Sequence, residues 1–300
     1  MPPQYRFLVA ESEPPEEQQQ RQEAVGRTAG ETYSDLLRRL APGSRVSTYE
    51  PLRTRDVPTD LAAFDAVFLT GSPLHLRHET DENRPVVEFM KAVFASGTPS
   101  FGSCAGLQIA TVSAGGSVRK MVKRQEAGFG RRIFKTDLGR THPLLDRRPM
   151  TYDAPAIHSD EVERLPGGSA LLASSDVTDV QAAEISFGAG TFWGVQYHPE
   201  LTLCEVAIAL RRQADDLVEC GLAHDAEDVA GHADLVEKLG CDPANVPLAW
   251  RLGLDQQVTD RGLRSAEIGN FIEHLVRAVA TKRGRGSAAR VESSAGSGPS

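Results

Sequence analysis

The chain has 300 residues and a mass of 32.4 kDa, enough for one large domain or two small ones. Hydrophobic residues make up 40% and charged residues 25%, so a sizeable core and a polar surface are both within reach. Acidic residues outnumber basic ones by 41 to 33, a net charge of -8, which argues against a general phosphate-backbone binder with its basic footprint. No apolar run approaches the roughly 20 residues of a membrane span. The opening MPPQYRFLVAESEPPEE turns acidic at once, so no signal peptide is read there. Four cysteines (104, 204, 220 and 241) without a CxxC pair fit neither a disulfide framework nor a zinc site, and they suit a reducing cytoplasm. The expectation is a cytoplasmic enzyme without metal or other cofactor, and with no nucleic-acid or membrane partner.

In chain order, Tyr5 to Ala10 predicts a strand that ends in a Glu/Pro loop, and Glu16 to Gly30 a polar surface helix or mobile loop. A helix over Thr32 to Leu40 stops at Pro42-Gly43. Strands follow near Arg45 to Tyr49 and Asp65 to Thr70, the second apolar throughout and so covered on both faces. A helix begins near Pro85, with Val86, Val87, Phe89, Met90, Val93 and Phe94 on its apolar side. A short strand, Pro99 to Gly102, then runs straight into Cys104. Strands alternating with helices predict an α/β fold with a mainly parallel sheet flanked by helices. From Ser117 to Val195 short strands between Gly and Pro clusters predict an antiparallel extension. From Leu203 onward the spacing is helical, with a later helix carrying Ile268, Phe271, Ile272, Leu275 and Val279.

The segment Gly102-Ser103-Cys104-Ala105-Gly106-Leu107-Gln108 places a cysteine between glycines at a strand-to-helix junction. That pattern is similar to a nucleophile elbow, in which glycines permit a tight turn and the helix N-terminus favours thiolate. Downstream, Gly194-Val195-Gln196-Tyr197-His198-Pro199-Glu200 sets His198 and Glu200 two apart in an extended segment. Side chains at i and i+2 share one side, so the carboxylate can orient the imidazole that serves the thiol. Gly71-Ser72-Pro73 follows a buried strand, and its N–H groups, with that of Ala105, are candidates for an oxyanion hole. Other residues carry weaker signals. His75, Arg77 and His78 read as a solvated loop rather than a metal site, His142-Pro143 as a turn into a strand, and Asp215-Asp216 as a polar helix side. Cys204, Cys220 and Cys241 read as packing residues.

Together these segments resemble class I glutamine amidotransferases, and most of all the glutaminase domain of GMP synthase and its stand-alone relatives. The elbow fits the family's G-x-C-x-G-x-Q and GVQYHPE fits G-x-Q-x-H-P-E; Glu126-Ala127-Gly128 resembles its E-x-G stretch and Ile157-His158-Ser159-Asp160 its S-H-G-D stretch. The resemblance covers about residues 5–205. It implies Cys104 as nucleophile, His198 as general base and acid, and Glu200 as orienting carboxylate. It also implies Gln108 as a glutamine ligand, Gly71, Ser72 and Ala105 around the oxyanion, and backbone at Ser159 and Asp160 against the amino-acid end of the substrate. Two positions depart from the pattern: Ser72 and Ser159 stand where glycine is common, and neither removes a backbone donor. The expected organisation is an amidotransferase-like domain over 1–203, a helical extension over 204–282 and a disordered tail over 283–300.

The implied reaction is hydrolysis of the glutamine side-chain amide through a Cys104 γ-glutamyl thioester. The chain holds no phosphate-binding S-G-G-x-D-S or G-x-x-x-x-G-K-[ST] loop, so an ammonia acceptor would be a separate synthetase subunit. Two alternatives stand beside it: a γ-glutamyl hydrolase or peptidase using the same triad, and a non-catalytic regulatory module. The expected partners are a small molecule (glutamine or a γ-glutamyl compound), with the synthetase and a homodimer both open.

Overall fold

The computed structural model describes residues 4–54 and 56–284; apart from Arg283 and Gly284, the tail expected over 283–300 lies outside the described residues. The strands are β1 (Arg6–Ala10), β2 (Arg45–Tyr49), β3 (Ala66–Leu69), β4 (Ser100–Ser103), β5 (Ser117–Lys120) and β6 (Phe129–Lys135), then β7 (Thr151–Pro155), β8 (Asp160–Arg164), β9 (Ser169–Ser174), β10 (Ala182–Phe187) and β11 (Gly190–Val195). Nine of them form one sheet in the order β2-β1-β3-β4-β11-β10-β9-β6-β7, and β5 pairs with β8 apart from it. The first five in that order pair parallel and the rest antiparallel, so the mainly parallel half and its antiparallel extension are both present.

The helices before the extension are α1 (Pro15–Val25), α2 (Ala29–Leu40), α3 (Pro51–Thr54), α4 (Arg84–Ser96) and α5 (Ala105–Ser113). Helix α2 starts earlier than its apolar spacing suggests because Thr28 caps it: its Oγ1 accepts from the Glu31 N–H, and its own N–H donates to Glu31 Oε2 at 2.9 Å. After β11 come α6 (Leu203–Arg212), α7 (Ala214–Glu219), α8 (Ala226–Cys241), α9 (Val246–Arg251), α10 (Gln256–Thr259), α11 (Arg261–Arg264) and α12 (Ala266–Asn270). A π-helical turn (Phe271–Val276) then leads into α13 (Arg277–Lys282).

Alternation along β1 divides the core between the two faces of the sheet. Leu8 and Ala10 pack with α4 and α5, whereas Phe7 and Val9 pack with α2 and with Ile268, Phe271, Ile272 and Val276 of the last helical stretch. Phe271 meets Phe68 edge-on at 5.5 Å and lies within 6.0 Å of Trp193, so this stretch is part of one face's core. A third apolar cluster lies between α6, α8 and the loops after them, through Val206, Leu210, Val229 and Val236.

Three sequence expectations need correction. Cys220 and Cys241 are exposed and only Cys204 is partly buried, so the surface pair do no packing. Pro143–Leu145 is a 3-10 turn whose start is capped by His142 Nδ1 accepting from the Leu144 N–H at 3.1 Å, not a turn into a strand. The loop carrying His75 and Arg77 is tied down rather than merely solvated, for a reason found in the site.

Candidate active site

The parallel strands β1, β3 and β4 end at one edge of the sheet, and a cleft of about 750 Å³ opens there. Cys104 sits at its base between β4 and α5. Its backbone is the strained point of the elbow, with φ 52° and ψ -111°, and its N–H donates to the Val195 carbonyl at 2.9 Å. The neighbouring glycines have a different task from the one expected, since neither adopts positive φ. A Cβ on Gly106 would lie 2.8 Å from the Leu69 carbonyl oxygen, so glycine there lets α5 close on β3. Gly71 does the same beside the imidazole, where a Cβ would approach His198 Cε1 to 2.7 Å.

His198 and Glu200 come together as the spacing predicts: Nδ1–H donates to Glu200 Oε1 at 2.7 Å, and the His198 N–H donates to the Pro155 carbonyl at 2.7 Å. Burial disfavours charge on the ring, but the Glu200 carboxylate and then the Cys104 sulfur outweigh it and hold His198 protonated well above the ordinary histidine range. The same Glu200 oxygen accepts from Ser103 Oγ at 3.0 Å, and Ser103 Oγ lies 2.6 Å from the Tyr33 hydroxyl. The Cys104 sulfur lies 3.8 Å from the Ile157 carbonyl, which places the 157–160 segment over it.

Of the remaining predicted residues, Gly71, Ser72, Gln108, Ser159 and Asp160 line the same cleft, and Ala105 opens α5 directly after Cys104. Gln108 commits its amide nitrogen inward, donating to the Asp160 carbonyl at 2.9 Å and to Gln196 Oε1 at 3.2 Å. The Asp160 side chain is buried and occupied: Arg77 donates to Oδ1 through Nε at 2.9 Å and through Nη2, and His75 Nδ1–H donates to Oδ2 at 2.9 Å. That pairing is what anchors the 74–84 loop, and Asn83 braces it by donating to the His75 and His78 carbonyls. Glu126 and His158 form a buried pair at 2.8 Å, with His158 Nδ1–H donating to the Asp160 carbonyl, so the E-x-G and S-H stretches meet beneath the site.

Sequence reasoning missed the far wall. Glu13, Glu17 and Arg21 of the α1 region line the cleft together with Arg212 and Asp216 of the α6–α7 corner. Glu13 has no ion-pair or hydrogen-bond partner among the described residues; burial raises its carboxyl to about 7 even with Arg21 nearby. No motif marks this wall; the one available signal was that α1 follows β1 directly at the cleft edge.

The α/β sheet thus carries a cysteine elbow at its carboxyl edge, facing a His–Glu pair on the segment that follows β11. The class I glutamine amidotransferase family model matches residues 34–210. A γ-glutamyl-L-1-hydroxyisopropylamide hydrolase from a Pseudomonas species is 34% identical over 277 residues, covering 90% of this chain and 93% of that protein. The chain therefore belongs to the class I glutamine amidotransferase family. GMP synthase from Neisseria meningitidis serogroup C is 30% identical over 177 residues, covering 58% of this chain and 32% of that protein, so the match spans about a third of its length. Among solved structures, a glutamine amidotransferase from Thermotoga maritima superposes with a TM-score of 0.62 at 15% identity, covering 90% of this chain and 99% of that one, which establishes likeness of fold. No helix among the described residues is long and apolar enough to cross a membrane.

Proposed function

We propose that this protein hydrolyses γ-glutamyl amides whose leaving amine is larger than ammonia, through a thioester on Cys104. The Cys104 sulfur attacks the γ-carbonyl carbon, and the carbonyl oxygen becomes an oxyanion against the N–H groups of Ser72 and Ala105. The protonated His198 gives its Nε2 proton to the departing amine as the C–N bond breaks, leaving a γ-glutamyl thioester. Water then loses a proton to His198 and attacks the thioester. Glutamate leaves and the sulfur regains its starting state. Glu200 keeps Nδ1 protonated throughout, so that Nε2 faces the reaction.

One observation carries the choice of leaving group. The cleft continues past the catalytic group to a polar wall made by Glu13, Arg21, Arg212 and Asp216, more room than a departing ammonia fills. The full-length similarity to a γ-glutamyl amide hydrolase supports the same reading. The second reading, a glutaminase that feeds ammonia to a separate synthetase, draws on the GMP synthase matches, which cover only the glutaminase-sized part of those proteins. The two differ in one comparison: kcat/KM for glutamine against γ-glutamyl-isopropylamide and its hydroxylated analogue. The proposal expects the substituted amides to exceed glutamine by at least about tenfold, which is about 1.4 kcal/mol of transition-state binding. Glutamine preferred by the same margin would favour the ammonia donor.

A further inference from the structure

Glu200 Oε1 carries two hydrogen bonds, one from His198 Nδ1 and one from Ser103 Oγ, while Oε2 is buried without a donor. A carboxylate can only accept, so the Ser103 hydroxyl must donate its single proton to Glu200. It follows that Ser103 accepts from Tyr33, whose O–H has no other acceptor among the described residues. The chain of donors therefore has one direction, Tyr33 to Ser103 to Glu200, and it meets the His198 N–H on the same oxygen. Tyr33 and Ser103 are both fully buried, and burial raises the Tyr33 hydroxyl well above its ordinary range, which keeps it a donor.

We infer that Ser103, backed by Tyr33, is a positioning residue of the catalytic pair. It fixes which Glu200 oxygen faces the imidazole and tempers that oxygen's pull on the imidazole proton. The two residues come from separate elements. Ser103 is the last residue of β4, immediately before the nucleophile, and Tyr33 is on α2, so one hydroxyl links the cysteine's strand to the histidine's carboxylate. Without it, the His198 Nδ1–H alone would hold the carboxylate, because no donor holds Oε2.

This inference rests on the Cys104–His198–Glu200 reading, and the test separates the two. Ser103→Ala, Ser103→Thr, Tyr33→Phe and Cys104→Ala are compared for kcat, KM and the pH profile of kcat/KM on one γ-glutamyl amide. Ser103→Ala should lower kcat by roughly ten- to a hundredfold, the scale of a small misplacement of a catalytic group. KM should barely change, and the alkaline limb assigned to His198 should move upward, since the Glu200 oxygen has lost a donor and attracts the imidazole proton more strongly. Ser103→Thr restores the hydroxyl and should restore both. Tyr33→Phe should show the same changes in weaker form, and it keeps the question open to test if Ser103→Ala folds poorly. A Ser103→Ala enzyme with normal kcat overturns the inference, as does one whose kcat falls with the limb in place and no rescue by threonine. Full activity in Cys104→Ala would instead overturn the triad reading itself.

Discussion

The balance at His198 is set by two opposed effects of its buried position. Desolvation favours the neutral ring, and the charges of Glu200 and Cys104 favour the imidazolium and win. Replacing Glu200 with Gln removes the larger favourable charge and leaves the burial penalty, so the His198 value falls. The alkaline limb of kcat/KM should then move to lower pH, and kcat should drop while KM holds. The stability sign follows from the same shift. A histidine raised above its ordinary 6.5 stabilises the fold fully below that pH and loses this contribution as pH rises through the raised value. The stability gap between wild type and Glu200→Gln should therefore be widest in mild acid and close in alkali. A limb that stays put, with a gap independent of pH, would contradict this account. At this scale the sequence was legible where chemistry is local: Cys104 within its elbow and His198 beside Glu200 follow from short spacings. The partners of Asp160 were not, because His75 and Arg77 lie more than eighty positions away and nothing in a polar loop says which buried carboxylate it meets. Ser103 was hidden for a similar reason: it occupies a variable position of the motif, and its partners are on other elements.

Among the elements, α1 buries none of its residues. Its attachment to the cleft is polar. Arg21 Nη2 donates to Glu205 Oε1 at 2.9 Å and to Thr32 Oγ1 at 3.2 Å, and Arg212 Nη2 donates to Glu17 Oε2 at 3.1 Å and to Gln20 Oε1 at 3.2 Å. These two anchors differ in worth. The Arg21–Glu205 pair is largely buried, with side-chain exposures of 13% and 6%, whereas Arg212 and Glu17 are about one-third exposed. Removing one partner of a buried pair strands the other charge and costs about 3 kcal/mol, while an exposed pair contributes less than about 1 kcal/mol. Denaturant unfolding of Arg21→Gln and Arg212→Gln should show that inequality, with only the first loss clear of error. Equal losses would mean that the wall is held by something other than these charges. The polar spacing of this segment left helix and mobile loop equally open, because α1 lacks the apolar face that periodicity detects. By contrast, α4 and β3 declared themselves through the apolar residues they bury.

For the whole molecule, the last helices brace the segment that carries His198 from behind. Glu267, on α12, accepts from Tyr197 at 2.7 Å, one residue before His198, and forms a fully buried pair with Arg148. Arg148 also donates to the Gln257 and Arg264 carbonyls, so one guanidinium gathers the α10–α12 turns against the antiparallel half of the sheet. The sequence indicated that these helices have an apolar side; it could not indicate that Phe271 completes the cluster beneath β3, β4 and β11, because that contact joins segments far apart in the chain. The fold thus brings strand ends, elbow and polar wall to one edge. A γ-glutamyl thioester made and broken at this edge can be trapped by acid quench during turnover of a γ-glutamyl anilide, with mass spectrometry of the intact protein and of its peptides. A γ-glutamyl adduct should be found on the peptide containing Cys104 and be lost, together with turnover, in Cys104→Ala. Sustained turnover with no adduct at Cys104, or an adduct on another residue, would contradict it.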